Sequence, residues 1–119
     1  MKRPRSYLSL LLLPFVLTAC GGSFPPPNER LSSAEGATRS AHELAAESDP
    51  QAALHLKLAN EQIEKAKAAM KNDDNKAADL WLQRASADAE LAVQLAKGAK
   101  AKAEAQSAQD RASALRGGK

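Results

Sequence analysis

The stretch that decides the fold is Asp49-Pro50-Gln51-Ala52-Ala53-Leu54-His55-Leu56-Lys57-Leu58-Ala59-Asn60-Glu61-Gln62-Ile63-Glu64-Lys65-Ala66-Lys67-Ala68-Ala69-Met70-Lys71. Ala52, Leu56, Ala59, Ile63, Ala66 and Met70 recur in alternating steps of four and three. That spacing is a heptad seam, the signature of helices that pack side by side. Leu54 and Leu58 are expected to widen it. Proline disfavours helical geometry in the residue before it and is welcome at the first helical position, so Pro50 opens the helix with Asp49 as its cap. Glu61 and Lys65 stand in the favourable order for an i,i+4 pair on the outer face, beside Asn60 and Glu64; such a pair is worth a few tenths of a kcal/mol. The stretch predicts a helix over 50–71, about 33 Å long.

The acidic turn Asn72-Asp73-Asp74-Asn75 follows. Asp73 or Asp74 can cap the next helix and suits its positive end. That helix is predicted over 74–116, about 64 Å long, and closes at Gly117-Gly118. Its seam is Ala78, Leu82, Ala85, Ala89, Ala92, Ala96, Ala99 and Ala103, with Trp81, Leu91 and Leu95 beside it. Small seam residues let a neighbouring helix come close. A tight turn makes the two helices antiparallel, so the longer one overhangs from about Lys97. Beyond that point Leu115 is the one large apolar residue, and Lys97, Lys100, Lys102, Arg111, Arg116 and Lys119 outnumber Glu104 and Asp110. A helix this polar is marginal alone, so it should fray or find a partner: the alternatives are a marginal monomer, and self-association or a helical partner docked on the Ala stripe.

Working outward to the N-terminal side, residues 32–48 read as a short leading helix. Ser32 and Glu35 have capping-box spacing, and Leu31, Ala34, Thr38, Ala41 and Ala45 form the stripe with Leu44 alongside. Gly36 costs this helix roughly 1 kcal/mol relative to Ala. The expected fold class is therefore all-α: an antiparallel helical hairpin with a short leading helix, three-helix and coiled-coil-like, and a long overhanging C-terminal helix. About a dozen bulky side chains serve this core, at roughly 1.5–3 kcal/mol each when buried.

Before the helices, Gly21-Gly22-Ser23-Phe24-Pro25-Pro26-Pro27 begins a tether, expected over 20–31: loose at Gly and Ser, stiff and extended at the prolines. Met1-Lys2-Arg3-Pro4-Arg5 is a basic tip, and residues 7–18 are a short apolar run. A membrane span needs about 20 apolar residues, so the run is too short; with small residues at its end it has the plan of a secretory signal peptide over 1–19. Leu17-Thr18-Ala19-Cys20 resembles the bacterial lipobox, and Cys20 is the single cysteine of the chain. The resemblance implies cleavage between Ala19 and Cys20 and acylation of Cys20. Gly21, in place of the Asp that retains lipoproteins in an inner membrane, implies sorting to the outer membrane, periplasmic face. Two or more acyl chains give firm attachment.

The chain has 119 residues, enough for one thin domain. Loss of Lys2, Arg3 and Arg5 with the signal takes 17 basic residues to 14, equal to the 14 acids. A neutral mature chain lacks the electrostatic footprint of a nucleic-acid binder. One cysteine excludes a disulfide framework.

The run from Leu56 to Ala66, the Asn72-Asp73 turn, Ala77, Leu80, Arg84-Ala85 and Ala87-Asp88-Ala89-Glu90-Leu91-Ala92 resemble a bacterial envelope family, the domain of unknown function DUF4398. The resemblance implies an envelope location and a helical hairpin. It implies no activity and no catalytic residues; members that end in an OmpA-like domain bind peptidoglycan through it, and this chain carries none.

Chemistry-bearing patterns are sparse. His42 and His55 lie thirteen apart without Cys or HxxxH partners, whereas metal sites want three or four ligands at set spacings. The 72–75 turn lacks the glycine and closing Glu of a calcium loop. No serine has a glycine elbow, Glu61 and Glu64 sit on a solvated face, and Trp81 next to Leu82 reads as core packing rather than as a sugar platform. No catalytic residue, metal or cofactor is expected. The expected role is a non-enzymatic envelope spacer or adaptor. An alternative rests on Lys119: the lysine-ended outer-membrane lipoproteins of enteric bacteria are lipid-anchored, heptad-rich helices joined to peptidoglycan through that residue, and this chain shares the lipid motif, the Ala-rich helix and the final lysine.

Overall fold

A computed structural model describes residues 23–118. The signal-like segment with Ala19, Cys20 and Gly21, and the terminal Lys119, lie outside the described residues. Three α-helices follow one another: α1 (Asn28–Glu43), α2 (Pro50–Lys71) and α3 (Asn75–Gly117), with a 3-10 turn, Ala46–Ser48, between α1 and α2. The all-α class, the hairpin and the long C-terminal helix are as expected.

Local chemistry sets the helix ends. Asp49 accepts from the N–H groups of Gln51 and Ala52 at 3.1 and 2.9 Å, with Pro50 at the first helical position. Asp74 caps α3 through the Ala77 N–H at 3.1 Å. Asp73 takes the left-handed turn position instead, at φ 57°. The N–H groups of Asn72 and Asp74 close back on the Ala69 carbonyl, and that of Asp73 on Met70.

α1 departs from the expected 32–48. It starts four residues earlier, so residues 28–31 are helix and not tether, and Ser32 lies in its interior without a capping role. The proline run itself starts the helix: the Pro27 carbonyl accepts from the Leu31 N–H at 3.0 Å, and a ring-fixed φ is compatible with a helix start. α1 also ends earlier. Leu44 leaves helical geometry, Ala45 turns left-handed at φ 53°, and Ala46 rather than Ala45 is buried.

Arg30 Nε donates to Asp79 Oδ1 at 2.6 Å, and Asn75 Nδ2 donates to the Phe24 carbonyl at 3.0 Å. These contacts set the start of α1 beside the start of α3. Lys67 Nζ near the end of α2 lies 2.9 Å from Glu35 Oε1. The order is therefore up, down, up, with α2 antiparallel to both neighbours.

The core is a line of small residues in two clusters. Ala34, Ile63, Ala66, Ala78, Leu82 and Ala85 pack toward the α2–α3 turn; Ala41, Ala46, Ala52, Leu56, Ala92 and Ala96 pack at the other end. Leu82 is the largest side chain with no exposure. Met70 lies half-buried at the rim rather than in the seam, because α2 ends one residue later. Leu54 is 54 % exposed and does not widen the seam. At 100° per residue it points about 160° from the seam's mean direction. Leu91 is exposed for the same angular reason. The buried part of the α3 seam stops at Ala96: Ala99 is half-buried and Ala103 exposed, since nothing in the bundle reaches beyond the α1–α2 connection.

Past Ala96 the overhang runs over 97–117, about 32 Å of helix, almost all of it exposed. Leu82→Ala should cost about 2–5 kcal/mol, read as an earlier thermal melt by circular dichroism. Ala89 has no exposure, so Ala89→Arg should force a charge into the seam and lower helicity; an unchanged spectrum and melt would contradict this packing.

Candidate functional site

The seam residues Leu56, Ile63, Ala78, Leu82, Ala85, Ala89, Ala92 and Ala96 are all buried together between the helices. What the structure adds is a set of polar clasps along the seam's edges. His55 Nδ1 lies 2.8 Å from Asp88 Oδ1, and Gln62 Nε2 donates to Asp88 Oδ2 at 2.7 Å. One half-buried carboxylate thus joins α3 to two points of α2 about two turns apart. Gln62 Oε1 is buried and has no hydrogen-bond partner among protein atoms. Sequence reasoning missed this clasp because its partners are 33 and 26 residues apart. A signal was available: His55, Gln62 and Asp88 each immediately precede a seam residue, the flanking position at which paired helices exchange polar contacts.

A second clasp joins α1 to α2. Glu35 and then Glu64 hold the Lys67 ammonium above its ordinary pKa by hydrogen bonding. A third sits at the α1–α2 connection. There Glu47 is held below the ordinary carboxylate value, first by a backbone N–H and then by its bond to His42.

Trp81 packs half-buried against the Ile63–Leu82 cluster. Lys65 Nζ and the Arg84 guanidinium lie over its ring at 4.7 and 5.2 Å. The ring is therefore a lid on the core, already occupied by cations. Among the described residues, no group of three or more His, Cys, Asp or Glu side chains could hold a metal ion. No helix among them is long and apolar enough to cross a membrane. The surface depressions are open grooves between helices. One of them, about 580 Å³, lies where Phe24 and the three prolines fold against Arg30 and Asp79. Arg30 and Asp79 already bond each other there, and no nucleophile–base pair lines it. Chemically the arrangement can hold helices together and present surfaces.

Asp88→Ala strands His55 and Gln62 and should cost about 1–3 kcal/mol, with the melt lowered more than by His55→Ala alone. The sign for Lys67 follows from its raised value. Its pairing contributes fully below the ordinary lysine value of 10.5 and is lost as pH rises through the higher folded value. The exposed pair is screened and its effect small. A slight alkaline loss of stability should be present in the natural chain and absent in Lys67→Met.

The sequence profile of a family described as a domain of unknown function (DUF4398) matches residues 29–108. The matched span opens on the second residue of α1, includes all of α2, and ends inside the overhang. No curated protein and no solved structure gives a match. The span covers well over half of the chain and contains the entire seam, so the chain belongs to the DUF4398 family.

Proposed function

We propose that this protein is a non-enzymatic lipoprotein of the cell envelope, a helical spacer or adaptor held to the periplasmic face of the outer membrane by acylated Cys20. The observation that carries the proposal is Leu17-Thr18-Ala19-Cys20-Gly21 placed directly before a slender helical bundle. The short apolar run precedes the one cysteine, and an acyl group there is the kind of anchor that a chain of polar-faced helices needs.

The bundle suits that role in a second way. The Asn75 amide holds the Phe24 carbonyl at the α2–α3 turn, and Phe24 is four residues from Cys20. Four extended residues reach at most about 14 Å. An anchor at Cys20 would therefore sit near the turn end of the bundle. The far end of α3 is about 64 Å from its start, so whatever the overhang contacts is held well away from that anchor. A protein of this shape works by distance and by surface, as a spacer or an adaptor does.

A second reading rests on Lys119, which follows Gly117-Gly118 in the sequence: attachment through its ε-amine would make the protein a covalent peptidoglycan tether.

Radiolabelled palmitate should enter the natural chain and not Cys20→Ala, and Cys20→Ala should leave the membrane fraction. A natural chain that stays unlabelled would overturn the lipid anchor. Muramidase digestion of purified sacculi separates the two readings. A muropeptide-linked form that disappears in Lys119→Arg establishes the tether, and its absence leaves the spacer.

A further inference from the structure

We propose that two copies of this protein pair antiparallel through the outer line of α3, each overhang lying along the back of the other copy's bundle. The back of a bundle helix is ordinarily polar, and that of α3 is not. Leu80, Leu91 and Leu115 are 54, 43 and 81 % exposed. All three fall on one line of alternating three- and four-residue steps, distinct from the buried seam. Below Leu91 the line continues through Gly98 and alanines 101, 105, 108 and 112, interrupted by Gln94. Arg84 interrupts it above. A strict seven-residue repeat drifts about 20° per heptad on a straight helix, and stays on one side only when a partner coils around it. The line holds from residue 80 to residue 115: Ala87, Leu91 and Gln94 form one wall of an open groove beside Ala37 and Ser40 of α1, and past Ala103 neither α1 nor α2 borders it.

Charge selects the occupant and its direction. Glu90, Lys97, Glu104 and Arg111 flank the line at seven-residue spacing and alternate in sign. All four are exposed, and none forms an ion pair among the described residues. In an antiparallel pair centred near Lys100, Lys97 meets the second copy's Glu104 and Glu90 meets the second copy's Arg111. Symmetry repeats both contacts, so four complementary pairs form. In a parallel pair the flanking rule sets Lys97 against the second copy's Lys102 and Arg111 against its Arg116. Both contacts are repulsive. The pattern is self-complementary in one direction only, as a two-fold interface requires.

Length agrees. Reflection about Lys100 lays the second copy's residues 97–117 along 83–103 of the first. The overhang thereby covers Leu91, and its Leu115 falls beside Arg84, between Leu80 and Ala87. Small residues at the centre, Gly98 and Ala101, let the two helices approach closely. A Cβ added at Gly98 would meet nothing within 4 Å, so that face is open to a neighbour. The pairing sets the two α3 starts, and with them the two Cys20 anchors, about 75 Å apart, so an acylated pair lies along the membrane instead of standing off it; failure of the pairing would leave the acylation of Cys20 untouched, and the reverse.

Disulfide trapping tests it in the purified full-length chain carrying Cys20→Ser, which leaves the introduced cysteines as the sole thiols. Ala87 and Ala112 lie 25 residues apart on one helix, about 37 Å, and cannot bond within a copy. They face each other across the antiparallel pair. Under mild oxidation, Ala87→Cys with Ala112→Cys in one chain, or the two single variants mixed, should give a covalent dimer, while each single variant alone gives no more than the Cys20→Ser chain. Dimers from the single variants alone would show a parallel pair and overturn the proposal, as would no dimer in any combination from chains whose circular dichroism is unchanged. A charge exchange gives a second measurement. Glu104→Lys should weaken association by roughly three- to tenfold, and adding Lys97→Glu should restore it. A double variant as weak as the single one would also overturn the pairing.

Discussion

The structure depends on one constraint, the close approach of three helices along a seam made mostly of alanine. Of the buried apolar residues among those described, only Leu56, Ile63 and Leu82 are larger than a methyl side chain. Such a core gains little from the transfer of large side chains out of water. It gains instead from backbone-to-backbone proximity, where many weak dispersion contacts add along the length of the helices. That proximity also explains the shape. Alanine seams do not build thick cores with internal cavities. They build slender rods, and the grooves between the helices of this rod are open to solvent.

Because the seam is thin, polar groups at its edges carry register and direction. Asp88 reaches two turns of α2 at once, and Arg30 bonds Asp79 where α1 and α3 start side by side. Lys67 bridges to Glu35 across α1 and α2. An alanine line could slide by a heptad with little change in packing; these contacts cannot. The buried and unpartnered Gln62 oxygen belongs to the same logic. Its amide is oriented by donation to Asp88, and the carbonyl end accepts the cost.

The same physics divides α3 into two regimes. Up to Ala96 it is one wall of a bundle, from Ala99 to Ala103 it borders the α1–α2 connection, and past that point it has no neighbour among the described residues. A long, polar, single helix is a poor use of chain unless its surface or its reach matters. Reach is the property that a spacer needs, and surface is the property that an adaptor or a paired copy needs. The exposed leucines of its outer line and the alternating charges beside them give that surface a direction as well as a composition.

Much of this was legible in the residues themselves. Asp49-Pro50 announced the start of α2 and the 72–75 turn announced its end, because capping and turn chemistry are local. The seam positions from Leu56 to Ala96 were legible because a heptad repeat is a one-dimensional pattern, and the overhang followed from the unequal lengths of two helices joined by a tight turn. The family resemblance rested on the same spacing. Other features needed three dimensions. A proline run can serve as tether or as helix start, and only its packing beside the start of α3 made it the start of α1. Leu54 and Leu91 looked like flanks of the seam until the helices were set in place and both faced outward. The Asp88 clasp joins residues far apart in the chain, and no local preference encodes such a meeting. Sequence by itself determined α2 and α3 and the line each would bury, since those follow from capping, turns and spacing among neighbouring residues. Tertiary structure decided which ends meet, which polar groups lock the register and which apolar line is left uncovered, since those depend on where one helix lies against another.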